Sequence, residues 1–137
     1  MRVVMEEAVM AEACQGFPES CLRQLYEILE RQQKAADAGD KRAFFKADNA
    51  FHETVFSGCG RPHIWQTLMR ASLDYSRARV LNAFLEPKEI PLSVHEDMLK
   101  AIESHEGDKA ARLVRQHMAN QETGIRKLMQ LYPDYFI

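Results

Sequence analysis

Apolar residues recur every three to four positions along most of this chain, the spacing of amphipathic helices, and strand alternation is absent. The pattern predicts about six helices. The first covers about Met1–Cys14, with Val4, Ala8 and Ala11 on one stripe and the glutamates off it. After the break Gly16-Phe17-Pro18, the second turns Leu22, Leu25, Ile28 and Leu29 inward; Pro18 suits a first helical turn and Gly39 a stop. Asp40 is the expected N-cap of the third, which carries Phe44, Phe45, Phe51, Val55 and Phe56 and ends at Ser57-Gly58. Pro62 opens a long fourth helix through Ile64, Trp65, Leu68, Leu73, Val80 and Leu81, and Pro87 and Pro91 interrupt the chain after it. Ser93 and Glu96 are spaced as a capping box for the fifth, whose Met98, Leu99 and Ile102 face inward. Gly107-Asp108 reads as a stop followed at once by an N-cap. The sixth helix then runs from about Lys109 to Met129 and ends at Tyr132-Pro133-Asp134. The expected fold is all-α, an antiparallel bundle of about six helices forming a single domain over residues 1–137.

Composition narrows the function classes. The 137 residues are enough to bury a core, and 46% hydrophobic with 28% charged residues is an ordinary globular balance. The longest apolar candidate, Val3–Ala13, is broken by Glu6, Glu7 and Glu12, far short of the roughly 18 residues of a membrane span. No signal-peptide pattern is visible, so the cytoplasm is the expected location. Cys14, Cys21 and Cys59 are an odd number without CxxC spacing, and read as buried free thiols. The net charge is -2 with both signs interleaved, so the chain lacks the basic face that gripping nucleic acid unaided requires. The first helix begins at Met1 with no N-cap, which points to a natural chain that starts upstream.

The candidate chemistry lies in one acid and three histidines. Asp48 and His52 are four apart and leave one face of the third helix. His95 begins the fifth helix and His117 sits midway along the sixth, in an apolar register. If these helices pack side by side, three nitrogens and one oxygen converge, a donor set for a divalent metal such as Zn²⁺, Ni²⁺ or Mn²⁺. On spacing alone, a surface Asp/His pair and histidines satisfied by backbone carbonyls stay open as the alternative.

The ordered motifs Arg2-x-x-Met5-Glu6, Asp48-x-x-Phe51-His52, His95-x-x-Met98-Leu99-x-Ala101-Ile102, Gly107-Asp108-x-x-Ala111 and His117-Met118 resemble the FCD domain, the effector-binding domain of FadR-type members of the GntR superfamily. The resemblance runs from Arg2 to about Met118. It implies a metal-anchored sensor of a small organic acid, homodimeric, whose DNA contacts belong to an N-terminal winged helix-turn-helix domain missing from this chain. The family's metal ligands fall on Asp48, His52, His95 and His117, and the metal keeps open positions that a carboxylate or water can fill. The chain departs from the family where Gly60-Arg61-Pro62 replaces a Gly-Asn-Pro turn, and in the spacing of Ala111 after Gly107-Asp108.

An organic-acid cavity needs cations. Arg77 and Arg79, midway along the fourth helix, offer the bidentate guanidinium fork, and Arg2 matches a family arginine that can face the cavity. Asn82 and Gln121 are polar candidates for its lining. Solvated positions for Arg77 and Arg79, and a frayed terminus for Arg2, are the plainer alternatives. His63, in a first turn, and His105, in a last turn, are not expected as ligands. Trp65 and the methionines read as packing, and Tyr132 and Tyr135 as cover for the bundle end or part of an interface. Two rival functions stand beside the sensor. A helical metalloenzyme would use the three histidines to activate water, but no His-Glu-x-x-His or Glu-x-x-His motif is present. An inert dimerisation module would hold no metal.

Overall fold

The computed structural model describes residues 2–85 and 92–136, with the side chains of 82–85 outside the described set. Seven α-helices occur among the described residues: α1 (Arg2–Ala13), α2 (Glu19–Asp37), α3 (Lys41–Gly58), α4 (Pro62–Ala71), α5 (Leu73–Leu85), α6 (Ser93–Glu103) and α7 (Gly107–Leu131). A 3-10 turn, Pro133–Phe136, follows α7. The all-helical expectation holds. Pro87 and Pro91 lie outside the described residues.

Three helix ends share one closure. Gly39, Gly60 and His105 take left-handed backbone conformations (φ 67°, 72° and 58°), and the next amide reaches back to close the end. These bonds run from Asp40 N to Ala35 O, Arg61 N to Phe56 O, and Glu106 N to Ala101 O. The sequence reading placed the last of these stops at Gly107-Asp108. Instead His105 makes the turn, its Nδ1 lying 2.8 Å from the Cys14 carbonyl oxygen, and Gly107 already belongs to α7. Asp40 caps α3 as expected, accepting from Ala43 N at 3.0 Å. The capping box at Ser93 does not form: Ser93 is inside α6, and Leu92 in the cap position has no side chain able to accept.

The single long fourth helix is two. The break falls at Ser72, the C-cap of α4, whose backbone amide reaches back only to Met69 O. It re-aims α5, so that Tyr75 and Arg79 turn inward while Arg77 faces solvent.

The short turn after α2 folds it back on α3, and the turn after α6 folds it back on α7; α1 lies along α7 and α3. The main core joins Met10, Leu25, Phe51, Val55, Phe56, Met98, Ile102 and Val114. Burying side chains of this size contributes about 1.5–3 kcal/mol each, before entropy is charged against it. The expected stripe of α1 is rotated: Val4 and Ala8 are exposed, whereas Arg2, Glu6, Val9, Met10 and Ala13 are buried. Of the cysteines only Cys14 is buried, with Cys21 and Cys59 half-buried. No helix among the described residues is long and apolar enough to cross a membrane.

Candidate metal centre

Three helices deliver the four predicted ligands to one place. Asp48 and His52 share a face of α3, His95 comes from the first turn of α6, and His117 from the middle of α7. One donor atom from each lies within 4.8 Å of the others. Ligands held about 2.0–2.2 Å from a common ion are about 3–4 Å apart, so small side-chain adjustments suffice. The imidazole centroids are 5.2 Å (His52–His95), 5.4 Å (His95–His117) and 6.1 Å (His52–His117) apart. Apolar rings hold them: Phe51 stacks on His95 at 4.4 Å, and Trp65 lies parallel to His52 at 6.2 Å.

Each imidazole also has a side-chain contact beyond the four ligands. His52 Nδ1 lies 3.4 Å from Glu6 Oε1, His95 Nδ1 lies 3.0 Å from Gln32 Oε1, and His117 Nε2 lies 3.1 Å from the Gln121 amide nitrogen. Gln121 in turn accepts the Tyr75 hydroxyl at 2.6 Å. Inward, Asp48 Oδ1 is 3.1 Å from His95 Nε2 and 3.9 Å from His52 Nε2.

Two of the four proposed effector residues adjoin this cluster. Arg79 is buried, with Nη2 3.1 Å from Asp48 Oδ2 and donating to Asn49 Oδ1 at 2.9 Å. Arg2 is buried too: Nε donates to Glu6 Oε1 at 3.1 Å, and its guanidinium lies 5.6 Å from the Trp65 ring and 5.3 Å from Tyr75. Arg77 is not brought in; it is 80% exposed and pairs with Asp74. The side chain of Asn82 lies outside the described set. Away from the cluster, His63 is exposed and His105 serves the helix turn described above.

The electrostatics favour the ligand-competent protonation state. Burial pushes His52 well below the usual imidazole range and His117 down to about 4, helped for His117 by the neighbouring His95, so both rings stay neutral at pH 7. Burial alone would raise Asp48, but Arg79 and His95 outweigh it and hold the carboxyl well below its ordinary value. Burial raises Glu6 against the opposing pull of Arg2.

Satisfaction is the telling feature. Among the described residues, the buried side-chain nitrogens and oxygens without a hydrogen-bond partner fall on Arg2, Glu6, Gln32, Asp48, Arg79 and His95, all on this one network. Asp48 Oδ2 and His95 Nε2 are among them despite their 3.1 Å neighbours. Unpartnered buried polar atoms cost about 1–3 kcal/mol each, and they are expected where a ligand completes the set. Imidazole nitrogens, an anionic carboxylate and unspent donors together fit a divalent ion and an anion beside it. Sequence reasoning missed Glu6 and Gln32, because an acid and an amide on amphipathic helices read as solvent-facing.

The all-helical fold agrees with the chain's kinship. The model of the FCD domain matches residues 1–120, and the chain belongs to that family. Among curated proteins it is 26% identical over 137 residues to the HTH-type transcriptional repressor RspR of Escherichia coli (strain K12), covering 99% of this chain and 60% of that protein. The same identity and coverage hold for the uncharacterized HTH-type transcriptional regulator YdfH of Shigella flexneri. The chain thus spans about three-fifths of the length of the curated relatives it matches.

Proposed function

We propose that this domain is the effector-sensing part of a bacterial transcription regulator of the FadR-type GntR class, with a divalent ion held by Asp48, His52, His95 and His117. The observation that carries this reading is the concentration of unpartnered buried polar atoms around a three-His, one-carboxylate donor set. Zn²⁺, Ni²⁺ and Mn²⁺ all suit such a set. When bound, the ion supplies a Lewis-acidic point of attachment for a small carboxylate. Arg79 and Arg2, each with guanidinium nitrogens still to be paired, supply the counter-charge. Sugar acids, hydroxy acids and dicarboxylates share this chemistry.

DNA binding is assigned to a winged helix-turn-helix part outside this sequence, and the working unit to a cytoplasmic homodimer. The effector acts by binding one arrangement of the dimer more tightly than another. The family membership and the relatives' names favour regulation over catalysis, and the metalloenzyme reading is set aside.

Elemental analysis of the unchelated domain beside a His52→Ala/His117→Ala variant tests the centre. About one ion per chain, as a mononuclear His₃Asp site requires, lost in the variant, is the expected result. Absence of metal from both would overturn the proposal. Thermal shifts with a panel of organic acids, stronger with metal and lost in Arg79→Gln, then test the effector.

A further inference from the structure

We infer that Glu6 fixes His52 for the ion, and that this contact ties α1 to the metal centre; the inference rests on the metal reading above. A histidine that ligates through one nitrogen carries its proton on the other, and that N–H needs an acceptor. In His52 the two nitrogens face different carboxylates: Nε2 lies 3.9 Å from Asp48 Oδ1, and Nδ1 lies 3.4 Å from Glu6 Oε1, a contact not yet aligned as a hydrogen bond.

The ion pair with Arg2 accounts for only part of the Glu6 carboxyl. Glu6 is 2% exposed on a helix whose neighbouring buried residues Val9, Met10 and Ala13 are apolar. A buried carboxylate is costly unless paired. Arg2, one turn away, pairs only Oε1, and Oε2 has no partner. The acceptor facing His95 Nδ1 is the amide oxygen of Gln32, whereas His52 Nδ1 faces the Glu6 carboxyl, so each ring has an oxygen on its Nδ1 side. Because α1 packs on α3 and α7, the helices carrying His52 and His117, its placement and occupancy of the centre bias one another, and the bias is reciprocal.

The test starts with the metal-free full chain, ¹⁵N-labelled, at pH 7.5. Long-range imidazole correlations are expected to show His52 as the Nδ1–H tautomer, and Glu6→Leu to shift it toward Nε2–H. In chelator competition Glu6→Leu is expected to bind zinc about 10–100-fold more weakly. Glu6→Gln, which keeps an acceptor oxygen, falls between it and the parent. Val4→Ala, at an exposed position on the same helix, leaves zinc affinity unchanged. Hydrogen exchange at the Val9 and Met10 amides is expected to slow on zinc addition in the parent and much less in Glu6→Leu. A parent His52 in the Nε2–H form, zinc affinity of Glu6→Leu within about twofold of the parent, or equal zinc protection of α1 in both would each overturn the inference. A parent with Nδ1–H His52 but no zinc binding would instead sink the metal reading itself and, with it, the tie to α1. The tautomer measurement needs only the parent, so it decides even if Glu6→Leu fails to fold.

Discussion

Along one face of α3 the interior changes character within two turns. Asp48 and His52 sit among guanidiniums, imidazoles and unpaired polar atoms; Val55 and Phe56, a turn further on, sit in an apolar cluster with Leu25, Trp65 and Leu68. Both stretches are equally buried. The apolar turn gains stability from burial and close packing. The polar turn carries desolvation costs that the fold alone does not offset. Burial by itself therefore does not distinguish core from site, whereas satisfaction of the buried polar atoms does.

The largest expected effect comes from the apolar side of this comparison. Phe56→Ala should cost about 3–5 kcal/mol in urea denaturation and leave the zinc affinity of the folded protein unchanged. A variant of near-parental stability, or one that loses zinc while folded, would break the division between the two turns. On the polar side, Asp48→Asn should weaken zinc binding by about 100-fold or more, equivalent to about 2.7 kcal/mol, in chelator competition. It should also lower metal-free stability, because Arg79 loses its buried counter-charge.

Acidity separates the two turns further. Burial holds His117 down to about 4 and His52 well below its ordinary value of 6.5. Between about pH 6.5 and 4 the unfolded chain binds more protons than the folded one, so these two groups make stability rise with pH through that window. Their contribution is greatest above about 6.5 and is lost as pH falls toward 4. Melting temperatures of the metal-free domain should fall across this range, less steeply in His117→Leu and as steeply in Phe56→Ala. Equal slopes in the parent and His117→Leu would count against a buried neutral His117.

Two smaller effects probe the periphery of the same helices. Asp40→Ala removes the cap of α3 and should cost about 1 kcal/mol in chemical denaturation without touching zinc affinity. Arg77→Ala should change stability by less than about 0.5 kcal/mol and leave zinc affinity unaltered, in contrast to its buried neighbour Arg79.

Much of this was legible in the chain itself. Periodicity and punctuation by Gly and Pro announced the helices, and Asp40, Gly39 and Pro62 stand at the boundaries they predicted. The spacing of Asp48 and His52 put both on one face because helical pitch is local, and the ordered motifs brought in His95 and His117. The misses share one cause. The break at Ser72, the left-handed turn at His105 and the rotation of α1 that buries Glu6 each run against local preference. A serine is tolerated inside helices, histidine rarely takes positive φ, and a glutamate is normally solvated, so pattern reading assigns each its commonest role.

Local spacing alone determined the helical class, the main helix boundaries and which residues of α3 could act together, because those follow from 3.6 residues per turn. Only the tertiary structure decided that Arg79 and not Arg77 joins the cluster, and that Glu6 and Gln32 stand behind the histidines. Those outcomes depend on the rotation of each helix about its axis when it packs. That rotation is set by the whole interior at once, which no single helix's sequence pattern contains.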